Sequence, residues 1–178
     1  MRVISGKARR TLLTAPVGKV VRPTSDRAKE AIFSIIAYRI QGARFLDLFC
    51  GSGAIGIEAL SRGASHCVFV DSSKDSVKAV KANLIKTRLV ADVIFSPAFD
   101  AIDSLSANGN VFDIIFLDPP YDFGHYAEVL EVILKLLSDE GIIVVETNDS
   151  ARLVVPNTLI ITDERRYGHS KFSFLVKV

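Results

Sequence analysis

The sequence predicts an α/β domain built on a doubly wound, mostly parallel seven-stranded sheet with an antiparallel hairpin at its C-terminal end. Three observations carry this expectation. Short apolar runs recur along the chain, amphipathic stretches separate them, and a glycine-rich loop follows the first run directly.

The elements follow in order. Residues 1–22 read as a small β-hairpin extension, with extended pieces at Met1–Ser5 and Arg10–Ala15 and turn signals at Gly6 and Pro16–Gly18. The main domain is expected over 23–178. It opens at Pro23-Thr24-Ser25-Asp26, where Pro23 disfavours helix for the residue before it and three polar residues offer caps. The helix that follows should bury Ala28, Ile32, Ile35 and Ile36 as one stripe. Strands are expected at Phe45–Leu48, Cys67–Val70, Asp92–Phe95, Ile114–Leu117 and Ile142–Glu146, with helices at about 54–62, 74–86, 98–106 and 125–137 between them. Leu159–Thr162 and Phe172–Val176 have no helix between them, so they should pair antiparallel.

The 178 residues suffice for one ordinary domain, and 49% hydrophobic with 24% charged residues is a globular composition. No apolar run has the length of a membrane span, and the basic start leads into no signal-like apolar stretch. Cys50 and Cys67 have no metal-type spacing, so neither a metal site nor a disulfide framework is expected. A cytoplasmic location and a monomeric state are the default expectations. The net charge of +2 hides an asymmetry: residues 1–22 carry Arg2, Lys7, Arg9, Arg10, Lys19 and Arg22 and no acid, leaving the body at −4. A basic arm on an acidic body is the layout of a protein that docks a polyanion.

After Phe45-Leu46-Asp47-Leu48 the chain runs through Phe49-Cys50-Gly51-Ser52-Gly53-Ala54-Ile55-Gly56 into a helix. This G-x-G-x-x-G spacing permits a tight turn, close backbone approach to a ligand, and close packing of helix on strand. Asp71, twenty residues beyond Gly51 and at the end of the second strand, can accept hydrogen bonds from both hydroxyls of a ribose. Those features suit either NAD or S-adenosylmethionine. Asp47 favours the second, because a carboxylate just before the glycines repels a pyrophosphate and attracts the ammonium of a methionine moiety.

The fourth strand ends in Asp118-Pro119-Pro120-Tyr121. Two prolines remove two backbone donors and fix two φ angles, leaving a stiff loop rich in acceptors. The Asp118 carboxylate and a backbone carbonyl, that of Pro119, can each accept one N–H of an exocyclic amine. Its lone pair then points at a methyl donor. Tyr121 would stack on the base.

These motifs resemble the amino-methylating, Rossmann-like class I methyltransferases, whose hallmark is Asp/Asn-Pro-Pro-Tyr/Phe. Met1-Arg2-Val3-Ile4-Ser5-Gly6 with Arg9-Arg10, the segment Arg22–Phe33, and Arg166-Tyr167-Gly168-His169-Ser170 resemble the RsmD family of 16S rRNA guanine-N2 methyltransferases. The resemblance implies a cofactor site lined by Asp47, Phe49, Gly51, Gly53 and Asp71 with Ser72, and a target-base site at Asp118–Tyr121. Arg22, Thr24, Arg27 and Glu30 would lie beside the pocket, and Arg9, Arg10, Arg22 and Arg27 would meet RNA. Such enzymes often place Asp or Asn after the third strand to bond adenine. Pro97 stands there instead, so backbone groups at Ala98 and Phe99 are expected to serve.

The implied partner is 16S rRNA or the assembling small ribosomal subunit. Adenine-N6 methylation of DNA or RNA is the alternative within methyltransferases. An NAD(P)-dependent oxidoreductase leaves Asp47 and the double proline without a use, and a non-catalytic RNA-binding module leaves Asp118-Pro119-Pro120 without one.

Overall fold

The computed structural model describes residues 1–17, 25–120, 123–149 and 153–178. After α1 (Asp26–Ile35) and the short α2 (Ala37–Ile40), strands and helices alternate: β1 (Arg44–Leu48), α3 (Ala54–Ser61), β2 (His66–Asp71), α4 (Lys74–Thr87), β3 (Asp92–Phe95), α5 (Ala98–Ala107), β4 (Phe112–Leu117), α6 (Tyr126–Ile133) and β5 (Leu137–Asn148). The chain then closes with β6 (Leu159–Tyr167) and β7 (Ser170–Lys177). The seven strands lie in the order β3-β2-β1-β4-β5-β7-β6, with only the last two pairings antiparallel.

Alternation of side chains along each strand divides the core in two. Phe45, Phe69, Phe116 and Val144 face α1, α3 and α4, which contribute Ile32, Phe33, Ile57, Leu60, Val80 and Leu84. Leu48, Val70, Leu117 and Val145 face α5 and α6, through Ile102, Leu105, Val129, Leu130 and Ile133. A sheet covered on both faces accounts for the uninterrupted apolar strands read in the sequence.

Four details differ from expectation. Helix α6 ends at Ile133, and after a 3-10 turn Leu137 already belongs to β5, paired with Phe112 across an irregularity in the β4–β5 register. Leu136 and Leu137 fit a helical stripe in sequence, but Leu137 is buried by its strand partner instead. Strands β6 and β7 are each longer than expected, and α2 was not foreseen. In α1 Ser25 caps the helix by accepting the Ala28 N–H at 3.1 Å, and the buried face carries Lys29 and Phe33 while Ile35 is only half-buried.

The first thirteen residues form a hairpin with one β-bridge, Arg2 to Leu12, and its Val3, Ala8 and Leu13 enter the same core as α1 and α3. Gly6 makes the turn at φ +81°, and a Cβ there would lie 1.8 Å from the Ser61 carbonyl oxygen, so only glycine lets the turn dock on the end of α3. Buried polar groups complete the attachment. Glu58, fully buried on α3, accepts the Ile4 and Ser5 N–H groups at 2.8 and 2.9 Å, and pairs with Lys29 at 3.2 Å and Arg62 at 2.7 Å. Lys29 also donates to the Arg2 carbonyl at 2.5 Å. Asn83 of α4 exchanges hydrogen bonds with Thr14 and donates to the Ser52 carbonyl at 2.9 Å, tying the hairpin's open end to the glycine loop.

Candidate active site

The loop after β1 takes left-handed conformations at three alternate residues, Phe49 (φ +68°), Gly51 (+53°) and Gly53 (+74°). Phe49 is the costly one, because a side chain at positive φ is strained and persists only where its surroundings fix it. Here its ring meets that of Phe123 edge-on at 5.0 Å. The glycines divide the work. A Cβ on Gly51 would meet nothing within 4 Å, which leaves its backbone open to a ligand, whereas one on Gly56 would lie 2.4 Å from the Phe69 ring and 2.7 Å from the Cys67 sulfur. Gly56 therefore serves packing of α3 on β2, the third use that the spacing permits.

Two carboxylates frame this loop. Asp71 is oriented by the Gly51 N–H on Oδ2 (2.9 Å) and the Ser73 N–H on Oδ1 (2.8 Å), and each oxygen retains a further acceptor direction. Asp47, 2% exposed, accepts the Gly56 N–H at 2.9 Å and so caps the first turn of α3, whose N-cap residue Gly53 has no side chain to do so. Burial, reinforced by the nearby charge of Asp71 and opposed by the Gly56 N–H, raises the Asp47 carboxyl to about pKa 7.

Asp118 follows β4 one strand away, its N–H directed to the Leu48 carbonyl at 3.4 Å. Pro119 is buried and Pro120 exposed, and the Pro120 carbonyl accepts the Phe123 N–H at 2.9 Å. The Asp118 carboxyl is held well above the ordinary range by burial, then by Glu146 and Asp47. Tyr121, Arg22 and Thr24, named from sequence, lie outside the described residues.

The register makes these acids one group. Asp47 is level with Phe69 on β2 and Phe116 on β4, and Phe116 is level with Val144 on β5. Asp71, Asp118 and Glu146 each stand two residues beyond those partners, on the same face. Four carboxylates thus line adjacent strands at the C-terminal edge of the sheet, where open α/β sheets bind ligands. Such an edge repels a pyrophosphate and accommodates cations. A donor that carries an ammonium and a sulfonium is of the charge such an edge accepts.

The remaining sequence-named residues distribute as follows. Ser72 is exposed at the rim beside Asp71. Ala98 and the partly exposed Phe99 begin α5, whose preceding loop is fixed by the Ser96 N–H on the Asp71 carbonyl at 3.2 Å. This places the α5 N-terminus next to Asp71. Arg27 and Glu30 are exposed on α1. Arg9 and Arg10 are exposed at the hairpin turn, beside the C-terminal end of α3. They stand roughly one α3 length, about 12 Å, from the glycine loop. Sequence reasoning missed Glu146, Glu58, Lys29 and Asn83.

A seven-stranded sheet of this order, with a glycine loop after β1 and an acid at the end of β2 bonded to that loop, is the Rossmann-like class I methyltransferase fold, and the chain is an S-adenosylmethionine-dependent methyltransferase. Comparison with known proteins narrows this. The family model described as Conserved hypothetical protein 95 matches residues 1–176. YlbH of Bacillus subtilis, a putative rRNA methyltransferase, is 41% identical over 94% of both chains, and the ribosomal RNA small subunit methyltransferase D of Haemophilus influenzae is 31% identical over 94% of this chain and 89% of its own. A solved hypothetical protein of Thermus thermophilus superposes with a TM-score of 0.86 at 31% identity, covering 100% of this chain and 99% of that one. The chain belongs to this RsmD-like methyltransferase family.

Proposed function

We propose that the protein transfers a methyl group from S-adenosylmethionine to the exocyclic N2 amino group of a guanine in 16S ribosomal RNA. It acts in the cytoplasm, as a monomer, on the RNA or on the assembling small subunit. The observation that carries this reading is the placement of Asp118-Pro119-Pro120 beside Asp47 on neighbouring strands. It is joined by similarity to enzymes named ribosomal RNA small subunit methyltransferase D in Haemophilus influenzae and Escherichia coli.

When bound, the cofactor supplies an electrophilic methyl on a sulfonium. The protein's own part is to present a poor nucleophile correctly. Asp118 and the Pro119 carbonyl accept the two amine hydrogens, so the nitrogen lone pair, otherwise delocalised into the ring, faces the methyl. Tyr121 fixes the plane of the base by stacking. As the nitrogen gains positive charge it does so beside Asp118, Asp47 and Glu146, acidic groups that the strand register brings to one edge, and groups positioned in advance need no reorganisation. No strong base is required before transfer, since the attacking amine is neutral and the sulfur–methyl bond breaks to a neutral thioether; the methylated nitrogen, cationic once the methyl has moved, then releases one proton to Asp118 or to water.

The test is nucleoside mass spectrometry of small-subunit rRNA from cells with and without the gene. Loss of one N2-methylguanosine supports the reading. An unchanged nucleoside profile, or loss of a methyladenosine, refutes it.

A further inference from the structure

Helix α4 presents to solvent a face that the crevice does not use. Lys74, Lys78, Lys81, Ile85 and Arg88 recur at spacings of four, three, four and three, so they form one exposed stripe that ends at the Arg88 C-cap. At helical rise the stripe is about 21 Å long. With Lys86 beside it, the segment 74–88 carries five basic side chains and one acid, Asp75, a charge of +4 within a body that sums to −4. A solvated helix face ordinarily alternates in sign, each lysine meeting an acid about one turn away. Here Lys78 alone does so, 3.6 Å from Asp75, and Lys74, Lys81 and Arg88 have no ion-pair partner among the described residues. Beyond residue 90 the pattern reverses: the described cations Lys135, Arg165, Arg166, Lys171 and Lys177 each stand 2.6 to 3.7 Å from a carboxylate. Like charges one turn apart repel, a cost that a polyanion laid along the stripe removes.

The stripe begins at the crevice. Helix α4 follows β2 directly, so Lys74 stands three residues beyond Asp71, and its ammonium lies 5.9 Å from the centre of the Phe95 ring. Phe95 ends β3 level with Asp71 and is 52% exposed, an open aromatic face at the rim. Toward the other end Lys86 donates to the Thr14 hydroxyl, which joins α4 to the hairpin that carries Lys7, Arg9 and Arg10. A row of cations with an aromatic ring at its head is what a strand of nucleic acid requires, phosphates for the one and a base for the other. We infer that this face of α4 is an RNA-binding tract: the strand flanking the target nucleotide stacks a base on Phe95 and runs its phosphates past Lys74, Lys78, Lys81 and Arg88. The inference rests on the RNA-methylating reading and deepens it by naming the path of the substrate outside the crevice.

The test uses the full-length protein, with small-subunit rRNA and assembled small subunits from cells lacking the gene as probes. Lys78→Gln, Lys81→Gln and Arg88→Gln combined in one variant remove three phosphate contacts remote from the crevice. The slope of log affinity for the RNA against log salt should fall by about 2 to 3, and binding at about 0.1 M salt should weaken at least about 10-fold. KM for RNA should rise while kcat stays within about twofold. S-adenosylhomocysteine affinity and Tm should be unchanged, which reports an intact fold. Phe95→Leu should weaken RNA binding about 10-fold and leave the salt slope alone, because it removes a ring and no charge. An unchanged slope in the triple variant, or unchanged RNA affinity in Phe95→Leu, overturns the assignment. So does a loss confined to assembled subunits, which would give the stripe to a ribosomal protein instead. Transfer of labelled methyl by the wild-type protein separates the two failures: transfer to neither probe sinks the RNA reading itself, whereas transfer with an unchanged slope sinks only the α4 tract.

Discussion

Cofactor affinity should weaken as pH falls through neutrality, and Asp47 sets the range. Its carboxyl stands at about pKa 7 in the free protein, against 3.8 for an unperturbed aspartate. Binding an ammonium beside it requires the ionised form, so below pH 7 part of the binding energy goes to removing a proton. For a group that must ionise from pKa about 7, affinity at pH 5.5 is about 30-fold weaker than at pH 8.5, or about 2 kcal/mol. Isothermal titration with S-adenosylhomocysteine across this interval checks it, with proton release observed through buffers of different ionisation enthalpy. Linkage gives a second sign. A carboxyl raised on folding opposes stability when ionised, so this contribution of Asp47 destabilises the free protein above pH 7 and is relieved as pH falls from about 7 toward 4. Ligand should therefore raise Tm more at pH 8.5 than at 5.5. Asp47→Asn, which can still accept the Gly56 N–H, should flatten the Asp47 part of the affinity profile. A pH-independent wild-type affinity, or an Asn variant with the full wild-type slope, would refute the assignment of the ammonium to Asp47.

Asp118→Ala should lower kcat at least about 100-fold while leaving S-adenosylhomocysteine affinity nearly intact, because its contact belongs to the amine. Single-turnover rates and titration read the two separately, and a near-normal rate removes that role. Glu58→Ala deletes the acceptor of Ile4, Ser5, Lys29 and Arg62 together and should cost about 3–5 kcal/mol in chemical denaturation. The N-terminal hairpin should become the first site of proteolysis, and unchanged protection would contradict its role as the anchor. Gly56→Ala forces a methyl against Phe69 and Cys67 and should cost about 1–3 kcal/mol, seen as a lowered Tm. Reversing the charges of Arg9 and Arg10 should weaken RNA binding and flatten its dependence on salt, and an unaltered salt slope would move the RNA contact away from the hairpin turn.

The strands, their alternation with helices and the two strand-end loops were legible because each is local. Apolar runs mark the strands, and Gly51–Gly56 and Asp118–Pro120 sit directly at strand ends where the fold class places ligands. What escaped the sequence was long-range polar pairing. Lys29 falls in a charged stretch that reads as solvated, yet its partner Glu58 lies on another helix and both are buried. Glu58 itself interrupts the apolar segment Ala54–Leu60, and nothing local shows that two backbone N–H groups about fifty residues upstream will be satisfied there. Asn83 is similar, reaching across 69 residues to Thr14. Glu146 reads as the polar end of an apolar run, and only the β4–β5 register sets it beside Asp118.

The central geometric claim is that the methyl donor and the Asp118 carboxylate meet across one crevice. A crystal structure with S-adenosylhomocysteine measures it directly. An amine nitrogen in line with the sulfonium methyl, and donating to Asp118, requires the sulfur to lie no more than about 8 Å from a carboxylate oxygen. The expected result is that spacing, with the methionine ammonium at Asp47 and the ribose hydroxyls at Asp71. A ligand bound in the opposite sense, or a sulfur well beyond that distance from Asp118, would contradict the account.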